Sequence, residues 1–235
     1  MKIFCLLIGI LFFTPAAFCA EPGIPVGERL VYHLSWMGIP IGRGELWVKE
    51  KAIINGKEVV HVVGMLQTND FLSTIYPVRD EIHSWIDAET LTSVKFEKEV
   101  NEGSKSRVHK SMEFEQATHD VISAFYWVRR QPMKPGESLR TTVIADEKEW
   151  ELEVMVLRRE TLELRGWEPV ATLLVEPTSR QGKVWKKGRS LISLSDDASK
   201  KPLKVIYQAP FGRIVGVLFR EDKPAKSPKV RRLKS

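Results

Sequence analysis

Apolar and polar residues alternate with a period of two along most of residues 28–220, the pattern of half-buried strands. Leu30, Tyr32, Leu34 and Trp36 alternate with Val31, His33 and Ser35, so the first predicted strand has an aromatic-rich inner face. Gly38 to Gly42 turns the chain into a second strand over 44–49, and glycines there suit a tight hairpin and close strand approach. Asn55-Gly56 predicts a type I′ hairpin into a strand over 59–66, because both residues tolerate positive φ. Between 69 and 76 the alternation lapses, which predicts a short helix or an irregular crossing ended by Pro77.

The plainest hairpin spans 91–115. Val94, Phe96 and Val100 on its first strand face the same way as Val108, Met112 and Phe114 on its second. The opposite face carries Lys95, Glu97, Glu99, Arg107, His109, Glu113 and Glu115, a solvated ladder of mixed charge that antiparallel sheets permit. At 121–130 the period becomes helical: Val121, Ala124, Phe125 and Val128 form a stripe that Ile122 and Trp127 widen. Asp120 is placed to cap this helix, and Arg129 and Arg130 sit at the end where the macrodipole favours cations. Such a helix is expected to plug or cover a sheet. Strands are predicted again over 138–145, 149–158, 160–165, 168–175, 183–187, 190–195, 202–208 and 213–220.

With no βαβ alternation and no repeat of about 20–50 residues, the pattern disfavours Rossmann folds, propellers and solenoids. It predicts a mainly β protein. Residues 21–221 are expected to form a single antiparallel β-roll or partly closed barrel of about a dozen strands, with one or two short helices. Closure would remove the exposed edges of such a sheet.

The two ends of the chain stand outside this pattern. Lys2 precedes an unbroken apolar run from Ile3 to Phe13, too short to span a bilayer. Pro15 breaks the run, and Ala16, Ala17, Cys19 and Ala20 supply small residues near a cleavage site. Residues 1–20 therefore read as a signal peptide, cut after Cys19 or after Ala20, and the protein as periplasmic or otherwise exported. A lipoprotein would be acylated at Cys19 and wants a small residue before it, where Phe18 stands; a retained anchor is the other rival. Both cysteines lie in this segment, so the exported part has no disulfide framework and relies on its core. The net charge of +6 resides in Lys2 and in residues 222–235, where six cations face Asp222 alone. The neutral body argues against a nucleic-acid surface. Residues 222–235 read as a basic disordered tail, either a solvated end or a segment that docks an envelope protein or an anionic membrane surface.

Patterns that carry catalysis are thin. His33, His61, His83 and His109 fall in mid-strand and His119 precedes the helix cap; no two share an i,i+2 or i,i+4 spacing, so no metal or cofactor site is expected. There is no G-x-S-x-G elbow and no cysteine beyond residue 19. Gly38, Gly42 and Gly44 lack dinucleotide-loop spacing. Asp196-Asp197 reads as a turn whose carboxylates bond local amides. With the strand histidines, this pair holds the only nominees for catalysis, and the protein is expected not to be an enzyme. The seven tryptophans carry more weight. Tyr32, Trp36, Trp127 and Trp150 are the candidate lining of a lipid or sugar site, if the roll is too wide to fill itself. The plainer alternative is that bulky rings fill the interior.

The stretch Val26-Gly-Glu-Arg-Leu-Val-Tyr-His-Leu-Ser-Trp-Met-Gly-Ile-Pro-Ile-Gly-Arg-Gly44 resembles the opening of the exported bacterial family catalogued as domain of unknown function 3108. Asp120–Arg129 is similar to that family's D-x-x-S-a-x-y-x-l-R helix. Met133-Lys-Pro-Gly136, Gly166–Pro177, Leu194–Pro202 and Phe211-Gly212 follow in the same order, spanning nearly the whole exported part. One departure is Ile192, where the family's closing segment often has a tryptophan. The resemblance implies a periplasmic or outer-envelope antiparallel β-roll and brings no catalytic residues with it. The leading expectation is a non-catalytic envelope protein that binds a lipid-like or glycan-like component in an aromatic-lined roll. The alternative is an assembly or scaffold factor working through the sheet exterior and the basic tail.

Overall fold

The computed structural model describes residues 23–103, 108–179, 188–222 and 230–232. The segment read as a signal peptide lies outside these, as do the strand expected over 183–187 and most of the basic tail. Alternation becomes a long meander. Its first half is β1 (Arg29–Trp36), β2 (Ile39–Ile54), β3 (Lys57–Thr68), α1 (Asp70–Ile75), β4 (Arg79–Asp87), β5 (Ser93–Val100) and β6 (Val108–Glu113). After α2 (Val121–Arg130) come β7 (Ser138–Ala145), β8 (Lys148–Leu162), β9 (Val170–Ser179), β10 (Arg189–Ser195), β11 (Pro202–Ala209) and β12 (Gly212–Asp222). The order across the sheet is β6-β5-β4-β3-β2-β1-β12-β11-β10-β9-β8-β7. Neighbours along this path are antiparallel, and β1 joins the two halves by pairing with both β2 and β12. The described strands do not close the sheet, because β6 and β7 end the path. Residues 118 and 119 tie its ends together instead: Ser93 N donates to Thr118 O, and Ile144 N donates to His119 O.

Local chemistry explains most boundaries. Asn55 and Gly56 have φ of 50° and 79°, the conformation the type I′ hairpin requires. A Cβ on Gly42 would lie 2.1 Å from the carbonyl oxygen of Gln67, so only glycine lets β2 approach β3 there. Two expectations need correction. The strands predicted over 149–158 and 160–165 are one strand, β8. A bulge between Val156 and Arg158 shifts the phase of alternation without breaking the pairing with β9. Part of the tail read as disordered also belongs to the sheet: β13 (Val230–Arg232) pairs in parallel with Lys51–Ile53 of β2. The reason is geometric. β1 begins at Arg29 opposite Trp47, so β2 beyond that point has an unpaired edge, which β13 takes.

The helix is expected to plug or cover the sheet, and it packs against the inner face of both halves. Asp120 Oδ1 accepts from the amides of Ile122 (2.7 Å) and Ser123 (3.1 Å), fixing its start. Ile122 and Tyr126 pack with Val48, Val60, Val62 and Ile86 of the N-terminal half. Val128 packs with Val154, Val156, Leu173, Val175 and Leu194 of the C-terminal half. Phe125 and Trp127 touch both clusters, so α2 is the wedge between the halves. A third cluster of Leu30, Leu162, Leu164, Leu203 and Leu218 joins β1 and β12 to β8 and β11.

Candidate functional site

The stripe on α2 does not pack flat against the sheet. Val121, Ala124, Phe125 and Val128 form one wall of a cavity of about 400 Å³ whose other walls come from β7 to β11. Leu152, Val154, Val175, Ile192, Leu194 and Val205 face it from the strands. Among the described residues, the only polar side-chain groups on the lining belong to Ser190 and Tyr207, which are paired across β10 and β11. The small residues explain the void: Ala124 stands at the centre of the helical stripe, and valines face it from four strands, so no side chain is long enough to reach across. A volume of this size falls within the range of small-molecule sites. With no charge on its walls among the described residues, the cavity suits apolar matter.

The four aromatic residues nominated from the sequence lie elsewhere, and none of them lines this cavity. Tyr32 packs on the third core cluster and donates to the carbonyl of Pro202 at 2.8 Å. Trp36 occupies an inward register position, yet its ring is exposed and its Nε1 donates to Phe211 O at 3.3 Å. Trp127 is wedged between the two main clusters, 5.7 Å from the His119 ring. Trp150 is half-buried and donates to Ala145 O at 3.2 Å. No ring contact joins any two of the four among the described residues. The cavity is instead marked by the plain aliphatic alternation of β8–β11, which in sequence looks the same whether an interior is filled or hollow.

Near the C-terminal end of α2, three of the stretches that carry the family resemblance meet. Glu28, just before β1, and Arg129, near the end of α2, form two parallel hydrogen bonds of 2.8 Å, with side chains only 4% and 5% exposed. Tyr126 donates to Glu28 Oε1 at 3.4 Å, and Arg129 Nε donates to Ser199 O at 3.1 Å in the closing segment. Burial, then the Glu28 charge, hold the Tyr126 hydroxyl protonated well above the usual tyrosine range. At the other end of the helix, Asp120 Oδ2 accepts from Ser84 (2.6 Å) and Ser93 (2.7 Å), and Ser93 also meets Ser123 at 2.7 Å. These groups satisfy one another and position α2 over the cavity. Asp197 likewise bonds the amides of Ser199 and Lys200 as expected of a turn, while Asp196 reaches out to Arg159 Nε at 2.7 Å.

Two histidines distant in sequence come together on the outer face. His61 Nε2 lies 3.0 Å from His83 Nδ1, and His83 Nε2 lies 3.1 Å from Glu81. Trp85 stacks on His61 with ring centroids 4.5 Å apart. Burial first, then His83 and Lys49, lower the His61 pKa to about 4; burial also lowers that of His83 against the pull of Glu81. Both folded values lie below the unfolded value of about 6.5, so protons favour the unfolded chain. Stability is therefore expected to be complete above about pH 6.5 and to fall as pH drops toward about 4. Urea midpoints measured across that window should fall less steeply in His61→Phe than in the parent. Parallel curves would refute the assignment.

A family model described as "Protein of unknown function (DUF3108)" matches residues 31–110 and 104–218. No curated protein matches the sequence. Among solved structures, the chain is similar to a β-barrel-like protein of domain of unknown function DUF1849 from Brucella abortus. That likeness has 10% identity and a TM-score of 0.48, over 86% of this chain and 99% of the other. It is also similar to a candidate exported protein with a YmcC-like fold from Bacteroides fragilis, at 12% identity and a TM-score of 0.40, over 84% of this chain and 96% of that one.

Proposed function

The chain belongs to the DUF3108 family, whose description assigns no activity, and from the geometry we propose that it is an exported, non-catalytic binder of a single lipid-like chain. The observation that carries this reading is the cavity between α2 and β7–β11, with Ser190 and Tyr207 the only polar lining among the described residues. An acyl chain needs no hydrogen bonds and gains from leaving water, by about 0.8 kcal/mol for each buried CH₂. A sugar would need several side-chain partners, which these walls do not supply, so the lipid-like half of the expected ligand range is the better fit. Export rests on the N-terminal pattern of Lys2, the apolar run and the small residues after Pro15.

Calorimetric titration with dodecanoate tests the proposal. The parent protein should bind one equivalent, and Ala124→Phe, which fills the cavity from its centre, should weaken binding by about a hundredfold or more while leaving thermal stability equal or higher. Absence of heat in the parent, or equal binding by the filled variant, would rule out the cavity as the site.

A further inference from the structure

A second apolar surface lies at one end of the roll, and we infer that it is a contact surface for the interfacial zone of a phospholipid bilayer. This inference rests on the proposed lipid-like ligand and says where that ligand is exchanged. Trp36, Met37 and Ile39 lie at the β1–β2 turn, Phe71 and Ile75 on α1, and Phe211 at the β11–β12 turn; their side chains are 41–73% exposed. These turns are held to one another. Trp36 Nε1 donates to Phe211 O at 3.3 Å, Met37 N to Arg213 O at 2.9 Å, and Asn69 Nδ2 to Pro40 O at 2.8 Å. The patch is therefore a fixed platform assembled from three segments distant in sequence, and contiguous exposed apolar surface of this kind marks an interaction site.

Three observations select a bilayer as the occupant. First, no Asp, Glu, Lys, Arg or His occurs within 36–42, 71–78 or 209–212, and the indole of Trp36 combines an apolar body with a polar edge, the chemistry favoured at a membrane interface. Second, each apolar stretch is followed by an exposed arginine: Arg43, Arg79 and Arg213. They form a collar of the sign that lipid phosphates attract. Of the carboxylates that share a hollow with Arg43 and Arg79, Glu45 is paired with Arg29, Glu81 lies 3.1 Å from His83 Nε2 and Asp80 accepts from the Asn101 amide, while Asp70 sits in the first turn of α1. Third, the platform is continuous with the cavity. Trp36 pairs with Ile214, and Ile214 pairs with Tyr207, so the three stand in one row on the inner face. Tyr207 lines the cavity. A protein partner would account for the patch alone, whereas a bilayer accounts for the patch and for an apolar row leading from it to the cavity.

Flotation with phosphatidylcholine vesicles, with and without phosphatidylglycerol, tests this. The protein is expressed from the complete sequence and recovered from the exported fraction. The triple variant Phe71→Ser, Ile75→Ser, Phe211→Ser should partition about tenfold less than the parent. The matched control Val108→Ser, Met155→Ser, Phe219→Ser removes exposed apolar groups elsewhere and should partition as the parent does. Arg43→Gln with Arg213→Gln should weaken binding only to the anionic vesicles. Equal flotation of the parent and the Phe71, Ile75, Phe211 triple variant (the rim variant) overturns the inference, as does an equal loss in the control. So does a rim variant that converts a parent dimer to monomer with vesicle binding unchanged. Dodecanoate titration of the same proteins separates the two sites. A rim variant that still binds dodecanoate but no longer floats supports the platform and spares the cavity. A parent that floats without binding dodecanoate removes the cavity reading and the loading route along the Tyr207 row.

Discussion

Arg129→Met is expected to lower the free energy of unfolding by about 3–5 kcal/mol, read from urea denaturation at neutral pH. The size follows from what remains rather than from what is lost. Glu28 would keep its charge inside the protein with the Tyr126 hydroxyl, at 3.4 Å, the only side-chain donor left among the described residues. A buried carboxylate without a counter-ion costs several kcal/mol, whereas the pair itself contributes little beyond an apolar substitute of the same shape. The double variant Glu28→Leu, Arg129→Met should therefore recover most of the loss. If the single variant costs under about 1 kcal/mol, or the double variant is worse than the single, the pair is not what fixes the end of α2.

Asp120→Ala should cost about 3 kcal/mol in the same assay. About 1 kcal/mol of this is the lost cap over the Ile122 and Ser123 amides. The remainder comes from the hydroxyls of Ser84 and Ser93, which donate to the same carboxylate in a fully buried setting. Asp120→Asn keeps an oxygen for the helix amides and turns an NH₂ toward two hydroxyls able to accept, so it should lose less than half as much. Equal losses in both variants would show that the charge, and not the acceptor geometry, is what the site needs.

The sheet was legible in the sequence because antiparallel strands with one wet face announce themselves by alternation, and α2 because its period, cap and terminal arginines agree. Even the cavity wall on α2 was visible, since Val121, Ala124, Phe125 and Val128 stand out as one stripe. What could not be read was distance. Whether valines on four strands meet a helix or stop short of it depends on how far the roll is opened, and composition carries no measure of that. Large aromatics drew attention to Tyr32, Trp36, Trp127 and Trp150, yet bulky rings fill space and cannot enclose an empty one unless the surrounding frame is wide. The small residues made the room. The exposed platform was hidden for a related reason: Trp36, Phe71 and Phe211 are far apart in the chain, and each alone is an ordinary surface residue.

The position of β1 between β2 and β12 also constrains how the molecule is made. Ser35 and Val215 are hydrogen-bonded across 180 positions of chain, so a polypeptide emerging N-terminus first presents its opening hairpin long before the lane beside it can be filled. Contacts of such sequence separation form slowly, and until they form the half-built sheet offers an adhesive border to other chains. The final strands therefore act as the molecular latch of synthesis: a chain cut short before residue 212 has every element that lines the cavity but lacks β12, the strand through which β1 reaches the C-terminal half.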